Sequence, residues 1–206
     1  MKKKLIVFDL DGVLIDSKSN MNAAWIAVME KHNIQVTFEE YFQLIGRPFV
    51  DILSALSIDG DHLKIADTYS RYSLENSSLI ELFPGVQTTL YRIANAGLKT
   101  AVVTSKDKDR TKNFLKMMDH QFDLVSTPNE KLSGKPAPDH LLHVMAALHC
   151  DPTETIYVGD MIVDKLAAQS ASVDYLHASW GYGVAFKDVN CLQNIEALME
   201  LISCMD

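Results

Sequence analysis

The chain has 206 residues, of which 48% are hydrophobic and 22% charged, and its formal net charge is −8 at pH 7. This composition excludes a disordered chain and predicts an ordinary buried core, while the negative charge argues against non-specific binding to nucleic acid or anionic membranes. No apolar run approaches a membrane span, and the three widely spaced cysteines favour neither a disulfide framework nor a metal site. We therefore expect a soluble cytosolic protein whose length suits one core domain with a smaller inserted unit.

The first predicted element lies in residues 5–12, with the sequence LIVFDLDG. Its four leading apolar residues predict a strand that is buried on both faces. Because side chains alternate along an extended chain, Asp9 and Asp11 project to the same side, and Gly12 lets the backbone turn away. Ligands of open parallel sheets bind at the carboxyl ends of the strands, and two acids so close together favour a cation between them. The alternative is a strand that ends in solvated acids.

Residues 17–80 contain helical patterns and no convincing strand. Apolar residues at helical spacing predict the first helix, and Thr37 followed by Glu40 has the pattern of a capping box for a second. Gly46 predicts the end of that helix, and Pro48 is suited to the first turn of the next one. Residues 61–79 are predicted to continue as helix. We interpret this part as a helical block inserted directly behind the acidic strand end.

From residue 83 onward, short apolar strands alternate with helices. The predicted strands span 98–105, 122–127, 155–160 and 173–179. The predicted helices span about 86–96, 139–149, 161–170 and 192–204, with another that begins at Asp107. This alternation predicts right-handed crossovers, a parallel sheet with helices on both faces, and therefore the α/β class.

Several of these strands end in polar residues, which a parallel sheet brings to one edge. Thr104 and Ser105 end the second strand, Asp160 ends the fourth, and Asp164 follows one helical turn later. Lys135 lies in a loop that two prolines stiffen. Each residue has a structural alternative, since serine, threonine and aspartate cap helices and most lysines are exposed. We expect all of them to converge with the acids of the first strand.

Such a group of side chains suits phosphoryl transfer through an aspartyl-phosphate. A carboxylate is a competent nucleophile for phosphorus, but two unit charges 4 Å apart repel by about 4 kcal/mol at an effective dielectric near 20. A magnesium ion held by carboxylates, together with one lysine, would remove this obstacle. Hydroxyl and backbone N–H groups would bind the phosphoryl oxygens, and a second acid would protonate the leaving oxygen and then activate water.

Four segments of the chain, in order, resemble the four motifs of the haloacid dehalogenase superfamily: FDLDGVLIDS, VVTS, GKPAPD and VGDMIVD. The resemblance is to the phosphoglycolate-phosphatase-like branch and covers essentially the whole chain. It implies a Rossmann-like core in residues 1–16 and 81–206 and a helical cap in residues 17–80. The implied activity is a magnesium-dependent phosphatase that acts on a small phosphate ester.

The resemblance also implies how the acids divide their roles. Asp9 matches the nucleophile and magnesium ligand of the family. Asp11 matches the general acid/base, which also offers its backbone carbonyl to the metal. Asp160 matches the metal-ligating acid, and Asp164 matches the acid that supports it from behind.

The phosphate-binding residues follow in the same way. Thr104 matches the phosphate-binding hydroxyl, with the Ser105 amide beside it, and Lys135 matches the lysine that orients nucleophile and phosphate. Gly12 belongs to the predicted substrate-binding set. Arg47 falls in the cap region where the family places substrate contacts, and it either pairs with a second anionic group or, as an exposed arginine, has no role.

Three other functions remain as alternatives at this point. A sugar-phosphate mutase of the β-phosphoglucomutase type would use the same residues with a cap that admits a sugar phosphate twice and excludes water. A dehalogenase is disfavoured because those enzymes do not keep the second acid, Asp11. The alternative from a different class is a non-catalytic protein that binds a phosphorylated ligand.

Some residues depart from the family pattern or stand outside it. Ser172 occupies a position where a glycine is usual before the fifth strand. The loop from Trp180 to Gly183 resembles one common in this branch, and we interpret it as structural. His140 and His143 are interpreted as surface or half-buried residues without a metal-site context.

Overall fold

The computed structural model describes residues 2–186 and 189–205. The strands in this part are β1 (Leu5–Phe8), β2 (Ile15–Asp16), β3 (Glu81–Leu82), β4 (Lys99–Val103), β5 (Leu124–Ser126), β6 (Thr155–Gly159), β7 (Asp174–Ala178) and β8 (Asn190–Leu192). Six of them form one sheet in the order β5-β4-β1-β6-β7-β8, while β2 and β3 pair with each other.

Neighbouring strands of the six-stranded sheet are parallel throughout. The predicted parallel α/β architecture is therefore confirmed. The central strand, β1, has β4 on one side and β6 on the other, so the chain changes direction across the sheet at β1. Ligands of such sheets bind beyond the carboxyl ends of the strands at this switch point.

The described helices are α1 (Lys18–His32), α2 (Phe38–Phe42), α3 (Phe49–Ala55), α4 (His62–Glu75), α5 (Val86–Asn95), α6 (Lys108–Leu115), α7 (Asp139–Leu148), α8 (Ile162–Ser170) and α9 (Ala197–Met205). The predicted capping box is present at α2, where Thr37 and Glu40 cap each other's backbone amides. Asp107 caps α6 as predicted, because its side chain accepts a hydrogen bond from the Arg110 amide. Among the helices of the described residues, none combines the length and the apolarity that crossing a bilayer requires.

The sheet is buried on both faces. Ile6 and Phe8 of β1 pack into one hydrophobic cluster, and Leu5 and Val7 pack into another on the opposite face. Each fully buried side chain of this kind contributes about 1.5–3 kcal/mol. The continuous apolar run of the first strand is thereby explained, and β1 holds the residues that follow it in a fixed position.

Helices α1–α4, which we call the helical layer, have a hydrophobic cluster of their own. The cluster centres on Trp25, whose ring stacks on that of Tyr41 with centroids 4.3 Å apart, with Phe49 and Tyr69 packed beside them. The antiparallel pair β2 and β3 lies at the two points where the chain enters and leaves this layer. That the layer is a separate cap remains a prediction.

The structure corrects three predicted boundaries. Residues 190–192 form β8, so the last helix begins at Ala197 instead of about 192, because three residues are too few to show strand alternation. Helix α2 ends at Phe42, before Gly46, which lies in a turn with a φ of 89°. The predicted helix over 61–79 ends at Glu75, with a short 3-10 turn after it.

Other sequence interpretations are also settled. His140 is buried, and its Nδ1 shares a 2.7 Å hydrogen bond with Ser126 Oγ, so its interpretation as a surface or half-buried residue is wrong; His143 is exposed. Ser172 adopts a φ of 57°, the left-handed conformation for which glycine is the usual residue. Cys150 is buried and Cys191 exposed, whereas the Cys204 side chain lies outside the described residues.

Candidate active site

Asp9 lies directly after the central strand and is almost completely buried. Its backbone N–H donates to the Val158 carbonyl of β6, so the main chain is held at the switch point. One carboxylate oxygen, Oδ1, accepts from the Leu10 amide at 2.8 Å and lies 3.0 Å from Lys135 Nζ. Burial raises the pKa of Asp9 to about 7 against the opposing charge of Lys135, and the Asp164 carboxylate adds to the rise.

Lys135 connects the acids of two strands. Its ammonium group lies 2.7 Å from Asp164 Oδ1 as well as 3.0 Å from Asp9 Oδ1, and all three side chains are buried. Burial alone would lower the pKa of Lys135, but the Asp164 and Asp9 charges outweigh that effect and raise it. The lysine is therefore a fixed cation at this edge of the sheet, as the stiffened loop predicts.

Asp164 has donors on both carboxylate oxygens. Oδ1 also accepts from Tyr157 OH at 2.8 Å, and Oδ2 accepts from the backbone amides of Asp160 and Met161. The side chain therefore fixes Lys135 and the start of α8 together. Through the bond from the Asp160 amide, it also holds the backbone of that neighbouring acid in place.

Asp160 is completely buried and is enclosed by the loop after β7. Its Oδ2 accepts from the Tyr182 amide at 2.7 Å, whereas Oδ1 has no hydrogen-bond partner among the described residues. A Cβ placed on Gly12 or Gly181 would lie 2.2 Å or 2.4 Å from Asp160 atoms, so only glycine fits at these two positions. Burial raises the pKa of Asp160 well above its ordinary value, and the Asp164 and Asp9 charges add to the rise.

These acids form a group that suits a metal ion. One carboxylate oxygen from each of Asp9, Asp160 and Asp164 lies within 4.8 Å of the others. The unpartnered Oδ1 of Asp160 is a buried acceptor that a cation would satisfy, and hard oxygen ligands are those that Mg²⁺ and Ca²⁺ prefer. Since Asp164 already receives four hydrogen bonds, Asp9 and Asp160 are the side chains best placed for direct ligation.

Asp11 faces the cleft and is more accessible than Asp9. Its Oδ1 accepts a short hydrogen bond from Ser17 Oγ and lies 3.0 Å from Lys106 Nζ. Ser17 stands at the N-cap position of α1, but its hydroxyl does not cap the helix. Lys106 is buried, and burial lowers the pKa of its ammonium group while Asp11 opposes this change.

The predicted hydroxyl pair lies at the end of β4, beside β1. Thr104 is buried, and its Oγ1 accepts from the Lys106 amide at 3.1 Å. The Ser105 hydroxyl instead donates to the Gly46 carbonyl at 2.6 Å, which joins the sheet edge to the turn after α2. Both residues line the same cleft as Asp9, Asp11 and Lys135.

Arg47 also lines this cleft, from the helical layer, but it is an exposed side chain. The structure thus brings the acids, the hydroxyl pair and Lys135 together at the sheet edge, with Arg47 at the rim. The cleft between them has a volume of about 50 Å³. In this arrangement the helical layer closes over the sheet edge.

Sequence reasoning did not identify four further polar residues of the cleft: Tyr41, Tyr69, Lys106 and Arg110. Lys106 directly follows the hydroxyl pair, and this adjacency was a usable signal. The other three come from α2, α4 and α6, and no local pattern distinguishes them from ordinary helix residues. Their convergence depends on how the helical layer packs on the sheet.

Comparison with known proteins places these features in a family. The profile described as haloacid dehalogenase-like hydrolase matches residues 6–178. A pyrophosphatase named PpaX from Bacillus velezensis is 29% identical over 182 residues, which cover 85% of this chain and 82% of the relative. A phosphoglycolate phosphatase from Aquifex aeolicus is 28% identical over 187 residues, which cover 87% of this chain and 86% of the relative.

The fold is shared more widely than the sequence. The crystal structure of a hydrolase from Pseudomonas syringae superposes with a TM-score of 0.86 at 21% identity, over 98% of this chain and 99% of that one. At this identity the likeness establishes the fold alone.

Proposed function

The chain belongs to the family of haloacid dehalogenase-like hydrolases, and from this premise we propose that it is a magnesium-dependent phosphatase that hydrolyses a small phosphorylated metabolite through an aspartyl-phosphate. Phosphatases of this superfamily are generally metal-dependent, and the buried acidic group of Asp9, Asp160 and Asp164 fits that property. Relatives named phosphoglycolate phosphatase and pyrophosphatase support a small phosphate ester or anhydride as the substrate.

The observation that carries the proposal is the contact of Lys135 with Asp9 at the switch point of the sheet. A buried carboxylate that is held by a cation and lines a small cleft is suited to attack on phosphorus. In the proposed first step, an Asp9 oxygen forms a bond to phosphorus while the bond from phosphorus to the ester oxygen breaks. In the second step, a water oxygen displaces Asp9 and inorganic phosphate leaves.

Asp11 would move the proton in both steps. It would protonate the leaving oxygen in the first step and accept a proton from water in the second. The short hydrogen bond from Ser17 and the 3.0 Å contact with Lys106 hold its carboxylate toward the cleft. Such fixed positioning is a main source of rate enhancement in phosphoryl transfer.

The remaining residues would bind the phosphoryl group. The Thr104 hydroxyl, the Ser105 amide and Lys135 would contact its oxygens, and the backbone at Gly12 would border it. Asp9, Asp160 and the Asp11 carbonyl would hold Mg²⁺, with Asp164 in support, and the bound ion would offset the repulsion between nucleophile and phosphate. Helices of residues 17–80 would act as a cap on the core of residues 1–16 and 81–206, with Arg47 at its rim.

A free-phosphate assay tests this proposal. The wild-type protein with Mg²⁺ should release phosphate from p-nitrophenyl phosphate, and Asp9→Asn should abolish turnover while circular dichroism shows an unchanged fold. Asp59→Asn, at an exposed aspartate that does not line the cleft, is the matched control and should keep full activity. Turnover retained by Asp9→Asn would exclude Asp9 as the nucleophile.

The same assay separates the alternative functions. A mutase would convert glucose 1-phosphate to its isomer with little release of free phosphate, whereas a phosphatase releases it. A non-catalytic protein would bind phosphate esters and release nothing from any of them. A screen of metabolite phosphates, scored by free phosphate, would then identify the preferred substrate.

A further inference from the structure

Two arginines line the cleft in addition to the groups proposed for catalysis. The charged lining residues are Arg47, Lys106, Arg110 and Lys135 together with Asp9 and Asp11. Lys135 and Lys106 are paired with the proposed catalytic acids, whereas Arg110 is paired with Asp107, which has no proposed role in the reaction. The arginines are therefore the lining cations without a catalytic acid as partner.

Arg110 differs from Arg47 because it is buried and held in place. Its Nε donates a short hydrogen bond to Asp107 Oδ2, and its guanidinium carbon lies 5.0 Å from the centre of the Tyr69 ring. These contacts use the Nε–H and one face of the guanidinium group, which also interacts with the Tyr69 hydroxyl. An arginine already fixed in this way loses little further entropy when its other N–H groups bind a ligand.

Two hydrogen-bonded tyrosines of the helical layer lie in this cleft, and one of them, Tyr69, lies against Arg110. The Tyr41 hydroxyl donates to the Tyr69 oxygen at 2.9 Å, so Tyr69 keeps its own O–H for another acceptor. Burial raises the pKa of Tyr69 to about 12, which keeps this hydroxyl protonated at neutral pH. Both tyrosines line the cleft with Arg110, and they come from helices on the opposite side of it.

We propose that Arg110 and Tyr69 form a second anion-binding subsite, which selects substrates that carry a carboxylate or phosphate group beside the reacting phosphoryl group. This inference rests on the proposed phosphatase function. The planar guanidinium group binds carboxylates and phosphates through paired hydrogen bonds. Arg110 and Tyr69 line the same cleft as Asp9, so a second anionic group bound there would lie beside the reacting phosphoryl group. Arg110 is thus assigned as a specificity residue, not as a catalytic one.

The competing explanation is that Arg110 only anchors α6 to α4. Asp107 accepts from Ser70 of α4 as well as from Arg110, so the network does join these helices. A purely structural arginine would affect every substrate equally when replaced. A specificity residue would affect only substrates with the second charge.

The test compares three phosphate compounds with each variant. 2-Phosphoglycolate carries a second carboxylate, pyrophosphate carries a second phosphate, and ethyl phosphate has a similar size without a second charge. For Arg110→Met we expect kcat/KM to fall about 10- to 100-fold for the two doubly anionic substrates, and less than about 3-fold for ethyl phosphate. Arg110→Lys should recover part of the loss, and Arg92→Met, at an exposed arginine on α5, should change nothing.

The outcomes distinguish the proposals. Equal losses on all three compounds would overturn the subsite and assign Arg110 a structural role. If only one doubly anionic compound depends on Arg110, that compound identifies the second group as carboxylate or phosphate. Failure of the wild-type protein to release phosphate from any ester would instead contradict the proposed function.

A binding measurement tests the subsite without turnover. Calorimetry with Asp9→Asn should give tighter binding of 2-phosphoglycolate or pyrophosphate than of ethyl phosphate, and Asp9→Asn with Arg110→Met should lose this preference. Tyr69→Phe, which keeps the ring under the guanidinium group, should weaken the preference about 2- to 10-fold. Absence of any preference in Asp9→Asn would overturn the inference even if the enzyme is active.

Discussion

The two sides of the cleft are built in opposite ways. On the sheet side, charged groups are buried and connected to one another, with Lys135 within 3.0 Å of both Asp9 and Asp164. On the side of the helical layer, the surface rests on an aromatic cluster around Trp25. Ion pairs thus fix the side chains of the sheet side, whereas aromatic packing fixes those of the helical side.

The contacts between the two sides combine packing, such as that of Phe42 on Tyr182, with hydrogen bonds. The Ser105 hydroxyl donates to the Gly46 carbonyl, and the Ser70 hydroxyl donates to Asp107. Hydrogen bonds of this kind contribute only about 0.5–1.5 kcal/mol each. The difference suggests a division of labour in which the sheet side performs the reaction, while the helical side closes over it and selects the substrate.

The largest effect should come from removing the charge at the centre of the sheet side. Lys135→Met leaves the buried Asp9 and Asp164 carboxylates without their cation, and breaking such a pair costs about 3–5 kcal/mol. We expect the free energy of unfolding to fall by this amount in urea denaturation. Because the phosphoryl group also loses a positive partner, kcat should fall about 100- to 1,000-fold.

Lys131→Met is the matched control, since Lys131 is exposed in the same loop. It should change stability by less than about 0.5 kcal/mol and leave kcat unchanged. Wild-type stability in Lys135→Met would mean that the lysine does not hold the acids together.

The next largest effect should come from the packing of the helical side. Trp25→Ala removes the centre of its aromatic cluster, and such truncations cost about 3–5 kcal/mol. The remaining tryptophan, Trp180, lies on the sheet side, where its Nε1 donates to the Val13 carbonyl. If the helical layer is a separate unit, helical circular dichroism should be lost at lower urea than the Trp180 fluorescence signal.

Trp180→Phe provides the complementary probe, because its fluorescence then reports on Trp25 alone. In this variant the fluorescence should follow unfolding of the helical layer. Coincident transitions in both variants would contradict the division of the chain into a cap and a core.

The sheet side was the more predictable of the two from the sequence. Asp9, Thr104 and Asp160 each directly follow an apolar run. Because ligands of parallel sheets bind beyond the carboxyl ends of the strands, polar residues at these positions indicate a binding site. The central strands were predicted for the same reason. β8 was missed because three residues carry no alternation, and the ion pair of Asp11 with Lys106 depends on a contact between distant parts of the chain.

For the helical side, the sequence predicted the helices but not which of their side chains line the cleft. Local signals such as the capping box at Thr37 fix where helices begin. They do not fix which face of α4 meets α6, so neither Tyr69 nor Arg110 was recognised. The buried position of His140 was missed because its partner, Ser126, lies on β5, away from any pattern in its own helix.

A smaller effect on thermal stability should follow from changes in pH and from binding of Mg²⁺. The pKa of Asp9 is raised from 3.8 to about 7. Between these two pH values, the folded protein without a cation keeps a proton on Asp9 that the unfolded chain has released. Stability from this group is present at low pH and is lost as the pH rises toward about 7. Without Mg²⁺, the melting temperature should therefore be lower near pH 8 than near pH 5.

Binding of Mg²⁺ to the deprotonated acids should reverse this loss. At a concentration about 100 times its dissociation constant, the ion adds about 2.7 kcal/mol, or about 5–10 °C for a chain of this size. Thermal melts should show this increase near pH 8 and a smaller one near pH 5, and Asp9→Asn should show neither. Equal shifts at both pH values would place the ion away from these acids.

The smallest effect should come from the contact that joins the two sides. Ser105→Ala removes the hydroxyl that donates to Gly46 but keeps the backbone amide proposed to bind phosphate. If the hydroxyl only holds the helical layer closed, KM should rise about 2- to 10-fold with little change in kcat, because a weaker contact lowers the population of the closed form. Ser133→Ala, at an exposed serine near Lys135, should have no effect. A fall in kcat at unchanged KM would show instead that the Ser105 hydroxyl acts on the reacting group, and the division between a reacting side and a closing side would then fail at the residue where the two meet.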